Sequence, residues 1–90
     1  MVKVGIFLAD GFEEIEGLTV VDAMRRAGYE VTTISIMEKK LINGSHGIKL
    51  YADEMFDDVQ TDAFDAIVLP GGRTGTDNLM AHEGVKAAVK

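Results

Sequence analysis

Cysteine is absent from all 90 residues. That removes disulfides, thiolate metal sites and a cysteine nucleophile from this stretch of chain. No apolar run approaches the roughly 18 residues that a membrane-spanning helix needs. The apolar start, MVKVGIFLADG, is too short for a signal peptide. Positive charge is scarce, with nine Lys and Arg against fifteen Asp and Glu and a formal charge of −6. Nucleic acids and anionic membrane surfaces select basic patches, so neither is an expected partner. The phosphate-cradling patterns GxGxxG and GKS/T are missing as well. A soluble, cytoplasmic chain is the expectation, with no cofactor and no metal site.

What is present reads as α/β. The apolar fraction of 47% is that of a globular chain, and 90 residues suffice for one small domain or part of a larger one. Val2 to Ala9 is nearly all apolar, as expected for a strand covered on both faces of a parallel sheet. Asp10 and Glu13 fit a capping box. The helix they open should run to about Ala27, with Gly28 as its stop. Glu30 to Met37 is rich in β-branched residues and reads as a second strand. Strand, helix and strand in this order form a βαβ unit with a right-handed crossover.

Further on, Leu41 to Tyr51 (LINGSHGIKLY) reads as a small hairpin around Asn43-Gly44 and Gly47. Asp53 to Asp65 is acidic and irregular, with room for one helical turn. Ala66 to Leu69 reads as a third buried strand, broken by Pro70-Gly71-Gly72. Short helices are expected near Thr76 to Ala81 and from Glu83 onward. The last carries apolar residues up to Val89 without a closing cap. The expectation is therefore that residues 1–90 form the first part of a larger doubly wound domain.

Two places invite chemistry. Steps of three and four along the helix place Glu16 in a row with Val20, Ala23 and Ala27, all small and apolar. Ile15, Thr19, Asp22 and Arg26 form a polar row with an Asp22–Arg26 pair. Glu13 and Glu14 suit the first turn, where the helix dipole favours carboxylates. Glu16 is thus either a covered carboxylate with a raised pKa or a side chain that skirts the apolar face and reaches water. The second place is VLPGGRTGTDNL. Glycines at the carboxyl end of a parallel strand offer N–H groups to a ligand or an oxyanion; they also serve a plain tight turn. His46 and His82 stand apart from any metal-ligand spacing and read as surface or packing residues. The aspartates at 57, 58, 62 and 65 read as a solvated loop, and Met24, Met37 and Met55 as core filler.

Taken together, LADGFEEIE, VVDAMRRAGYEV, GSHGIKLYAD and FDAIVLPGG resemble the ThiJ/PfpI superfamily, on the branch of the Parkinson's-associated protein deglycase. The likeness runs in order over nearly all 90 residues. It implies the N-terminal portion of a flavodoxin-like, doubly wound, mostly parallel sheet with flanking helices, in a protein that forms homodimers. It also implies a cysteine on a strand-to-helix elbow, beyond the residues present here and so on a complementary C-terminal part. Glu16 would hydrogen-bond that sulfur, and Gly71 and Gly72 would supply oxyanion N–H groups. Glu13, Ile15, Arg26 and His46 would lie at or near the dimer contact.

The implied function is cysteine-dependent action on small α-oxoaldehydes or their protein adducts, of deglycase or glyoxalase type. Alternatives on the same scaffold are an oxidative-stress sensor or chaperone and an intracellular peptidase. A non-enzymatic α/β interaction module remains open, because these residues hold no nucleophilic cysteine.

Overall fold

The computed structural model describes residues 2–72, 75, 78–80, 82 and 84. The first strand, β1 (Lys3–Leu8), is buried at every position after Lys3. Its side chains alternate between two cores, as the two-residue period of a strand requires. Val4, Ile6 and Leu8 join Phe12, Val21, Val31 and Ile42 on one face. Phe7 joins Ala9, Ile34, Ile36 and Leu79 on the other. A strand covered on both sides has to be apolar throughout, and that is the origin of the unbroken run at the N-terminus.

The helix α1 (Glu14–Arg26) returns the chain to β2 (Glu30–Ser35), which pairs parallel to β1 from Lys3 with Glu30 to Leu8 with Ser35. β3 (Leu41–Asn43) and β4 (Lys49–Tyr51) form a separate antiparallel hairpin. β5 (Glu54–Met55) and β6 (Ala66–Val68) complete a four-stranded parallel sheet in the order β5-β2-β1-β6. The architecture is the expected α/β one.

Local departures have local causes. Asp10 does not cap the helix: Gly11, at φ 87°, turns the chain so that Asp10 Oδ1 accepts from the Asn43 N–H of β3, at 2.9 Å. Glu13 is the cap, accepting from the Ile15 N–H at 2.8 Å. The C-terminal end is as expected, with Ala27 as cap and Gly28 at φ 90°. β2 stops at Ser35, two residues early. β5 lies in the stretch read as irregular, beside two 3₁₀ turns at Phe56–Asp58 and Thr61–Ala63. Asp57, Asp58 and Asp62 are exposed there, whereas Asp65 accepts from the Lys3 N–H at 2.8 Å. Among the described residues β6 is an edge strand, and it is only half buried. The helix expected near residues 76–81 is seen at 78–80, and the one from residue 83 onward lies outside the described residues apart from Gly84.

The covered stripe of α1 is Glu14, Gly17, Val21 and, in part, Met24. A row of steps of three and four drawn from Glu14 picks it out; the row drawn from Glu16 lies mostly toward solvent. Gly17 belongs to the stripe because the Phe12 ring leaves no space. A Cβ there would stand 2.8 Å from Phe12 Cε2. Alanine favours a helix over glycine by about 1 kcal/mol, yet this collision costs more. Gly17→Ala is expected to destabilise the fold by about 1–3 kcal/mol. Ala23→Gly, on the exposed face, should cost no more than about 1 kcal/mol. Denaturant unfolding of both variants checks the order.

Candidate functional site

The start of α1, the β3–β4 hairpin and the Pro70-Gly71-Gly72 turn converge at the carboxyl edge of the sheet. Three backbone hydrogen bonds fix this junction. The Gly11 N–H donates to the Asn43 carbonyl at 2.8 Å, the Ser45 N–H to the Phe12 carbonyl at 2.9 Å, and the Glu13 N–H to the Gly71 carbonyl at 2.8 Å. Phe12 is fully buried beneath them.

Residues two apart on an α-helix point about 200° from one another. Glu14 and Glu16 accordingly face opposite sides of the junction. Glu14 turns inward and is 1% exposed. Its Oε2 accepts from the backbone N–H groups of His46, at 2.7 Å, and Ile48, at 3.2 Å. Its Oε1 accepts from Ser45 Oγ, at 3.1 Å, and lies 2.9 Å from His46 Nδ1. Gly44 packs so closely that a Cβ there would collide with the carboxylate. A buried carboxylate with four donors is satisfied, and this one fastens the hairpin loop to the helix.

Burial opposes the charge on Glu14. The hydrogen bonds from the His46 ring, from its own backbone and from the His46 and Ile48 N–H groups outweigh that, taking its pKa from 4.5 to about 2. The hydrogen bond to Glu14, with the charges of Glu13 and Glu14, raises the His46 pKa above 6.5. His46 Nδ1 also lies 3.5 Å from Glu13 Oε2. Thus His46 does not stand apart from carboxylates: Glu13, Glu14 and His46 bring one ligand atom each within 4.8 Å of one another. They come from places 32 residues apart, which spacing along the chain hides. His82 stacks edge-on against Phe56, ring centroids 4.8 Å apart.

Glu16 turns outward. It is exposed, so the covered environment weighed from its helical row is absent: Val20 is only half buried, and Ala23 and Ala27 face water. Its carboxylate lies against Gly71, where a Cβ would collide with Oε2. Gly72 has φ 101°, and a Cβ on it would come within 2.6 Å of the Gly11 carbonyl oxygen and 2.8 Å of the Glu13 nitrogen. Glycine is required there both by backbone conformation and by space. Among the described residues the N–H groups of Gly71 and Gly72 have no acceptor. Beside them an open cleft of about 480 Å³ runs between α1 and β6, lined by Ile15, Glu16, Thr19, Val20, Val68, Leu69, Pro70 and Gly71. The structure therefore brings Glu16 and Gly71 together in the lining of one cleft, with Gly72 next in the same turn.

The four interface candidates are less closely grouped. Glu13, Ile15 and His46 cluster at the helix start, with Ile15 74% exposed. Arg26 shares the exposed row of Ile15 but lies about 16 Å further along the helix, where it pairs with Asp22 at 2.9 Å.

The DJ-1/PfpI family profile matches residues 2–90. The chain belongs to the DJ-1/PfpI family. It is 45% identical over 71 residues to a deglycase of Thermococcus kodakarensis, a match covering 79% of this chain and 42% of that protein. It is 36% identical over 88 residues to the deglycase PfpI of Pyrococcus furiosus, covering 98% and 52%. Among solved structures, oxidized DJ-1 of Toxoplasma gondii superposes with a TM-score of 0.95 at 31% identity, covering 99% of this chain and 48% of that one. The chain thus spans about half the length of these relatives. Its fold is the family's flavodoxin-like one, and three of the four stretches that carried the resemblance (LADGFEEIE, GSHGIKLYAD and FDAIVLPGG) meet at the junction described above.

The Glu14–His46 pair sets a pH dependence. Glu14, with its lowered pKa, stabilises the fold above about pH 4.5, and that contribution is lost as pH falls toward 2. His46, with its raised pKa, contributes below pH 6.5 and loses its share as pH rises above that value. Because the His46 side chain is 63% exposed, solvent screening keeps the alkaline limb shallow. Unfolding midpoints should therefore be highest between about pH 4.5 and 6.5. Glu14→Gln should lower the midpoint there and flatten the acid limb, while an acid limb unchanged in that variant would contradict the assignment.

Proposed function

We propose that residues 1–90 are the N-terminal part of a cysteine-dependent DJ-1/PfpI enzyme acting on small α-oxoaldehydes or the adducts they form with proteins. The observation that carries this reading is the packing of an exposed acid, Glu16, against Gly71, in a turn at the end of a parallel strand where the Gly71 and Gly72 N–H groups have no acceptor among the described residues. The deglycase names of two relatives support the reaction class. The thiol would come from the complementary part of the polypeptide and meet the cleft beside Gly71.

In this reading Glu16 acts as the carboxylic acid, whose O–H donates to the sulfur and favours its thiolate, the nucleophilic form. The thiolate adds to the aldehyde carbon, and the carbonyl electron pair moves onto oxygen. The Gly72 N–H then faces the developing oxyanion, where a fixed donor stabilises charge without reorganising. The surroundings of Gly72 hold this donor in place, since Gly11 and Glu13 press against its Cα. The protein works as a cytoplasmic homodimer, with Glu13, Ile15 and His46 in the contact.

Glu16→Gln in the cysteine-containing protein should reduce kcat/KM for methylglyoxal about 100-fold or more. Its melting temperature should hold, because Glu16 is exposed and anchors nothing. Undiminished turnover in this variant, or turnover that survives replacement of the cysteine, would overturn the proposal.

A further inference from the structure

The cluster of Glu13, Glu14 and His46 lies on the opposite side of α1 from the Glu16 cleft and plays no part in the proposed reaction. Its geometry gathers one ring nitrogen and two carboxylate oxygens around one point. His46 Nδ1 stands 2.9 Å from Glu14 Oε1 and 3.5 Å from Glu13 Oε2. Donor atoms about 2.0–2.2 Å from a metal ion are separated by about 3.0 Å in octahedral and 3.4 Å in tetrahedral coordination. Both separations from Nδ1 fall close to that range, and the third ligand atom also lies within 4.8 Å. Closing the set needs only a small movement of Glu13, whose side chain is partly exposed.

We propose that Glu13, Glu14 and His46 form a binding site for one divalent transition-metal ion of the zinc, cobalt or nickel class. The ion takes the place of the proton on His46 Nδ1, which passes to solvent. The imidazole then ligates as a neutral donor through that nitrogen. Glu14 needs little rearrangement. Its Oε2 keeps both backbone N–H groups, and Oε1 keeps Ser45 while turning its second lone pair to the ion. Fixed carboxylate donors of this kind are what orients a metal site in advance. Two carboxylates balance the ion's charge, in a chain of net charge −6. The imidazole donor selects zinc-like ions over calcium and magnesium, which take oxygen ligands. The remaining position on the exposed side of His46 falls at the homodimer contact proposed above, where water or a donor from the second copy completes the coordination.

Titration of the metal-free chain with ZnCl₂ by calorimetry tests this directly, with His-selective NMR as the second readout. One ion per chain is expected, with the His46 ring resonances shifting and those of His82 unmoved. His46→Ala and Glu13→Gln should each weaken binding on the order of 10-fold or more. Both residues are at least partly exposed, so these variants keep the fold. MgCl₂ should give no saturable binding. Zinc affinity unchanged in both variants, or equal shifts of His46 and His82, would overturn the assignment.

Discussion

The structure depends on one buried carboxylate. In the loop between β3 and β4 the Gly44 and Gly47 N–H groups pair within the hairpin, but those of His46 and Ile48 turn toward the buried side of the helix. Glu14 resolves this by accepting from two backbone N–H groups, a hydroxyl and an imidazole. Buried polar groups must be paired, so a short antiparallel ribbon with little core of its own becomes an obligatory part of the domain. The helix gains as well: thirteen residues are marginal in isolation, and α1 is held at its first turn from both sides, by the hairpin and by the Gly71 carbonyl.

The proposed function draws on the same constraint. With Glu14 and Phe12 fixing the rotation of α1, Glu16 has one direction left to it, toward the turn after β6. The glycines of that turn are there because of what presses on them. Gly72 occupies a left-handed backbone conformation with Gly11 and Glu13 against its Cα, and Gly71 has the Glu16 carboxylate against it. Helix position, carboxylate direction and turn geometry are thus one packed unit. The two acids separated by a single residue divide the work, one structural and one facing the cleft.

Much of this was legible beforehand, for physical reasons. β1 announced itself because a strand buried on both faces must be apolar, and Gly28 because the helix ends in a left-handed turn. Pro70-Gly71-Gly72 marked the carboxyl end of β6 for the same kind of reason. Glu14 was not legible as a buried residue. The helix dipole accounts for an acid in the first turn, and nothing local shows that its partners arrive from residues 45–48. His46 looked isolated because the hairpin brings it back across 32 residues of chain. The edge strand β5 is two residues long and too short to carry a period. A signal for Glu14 did exist, in the row it shares with Gly17, Val21 and Met24. It required reading a glycine as a sign of close packing.

The division of labour between the two glutamates is most directly tested by amide hydrogen exchange at His46 and Ile48. Both N–H groups donate to Glu14 Oε2, so their protection reports the latch itself. The account predicts that Glu14→Gln speeds exchange at these two amides well beyond the rest of the sheet, whereas Glu16→Gln leaves them as in the unaltered chain. Equal protection in all three proteins, or loss of protection on changing Glu16, would contradict it.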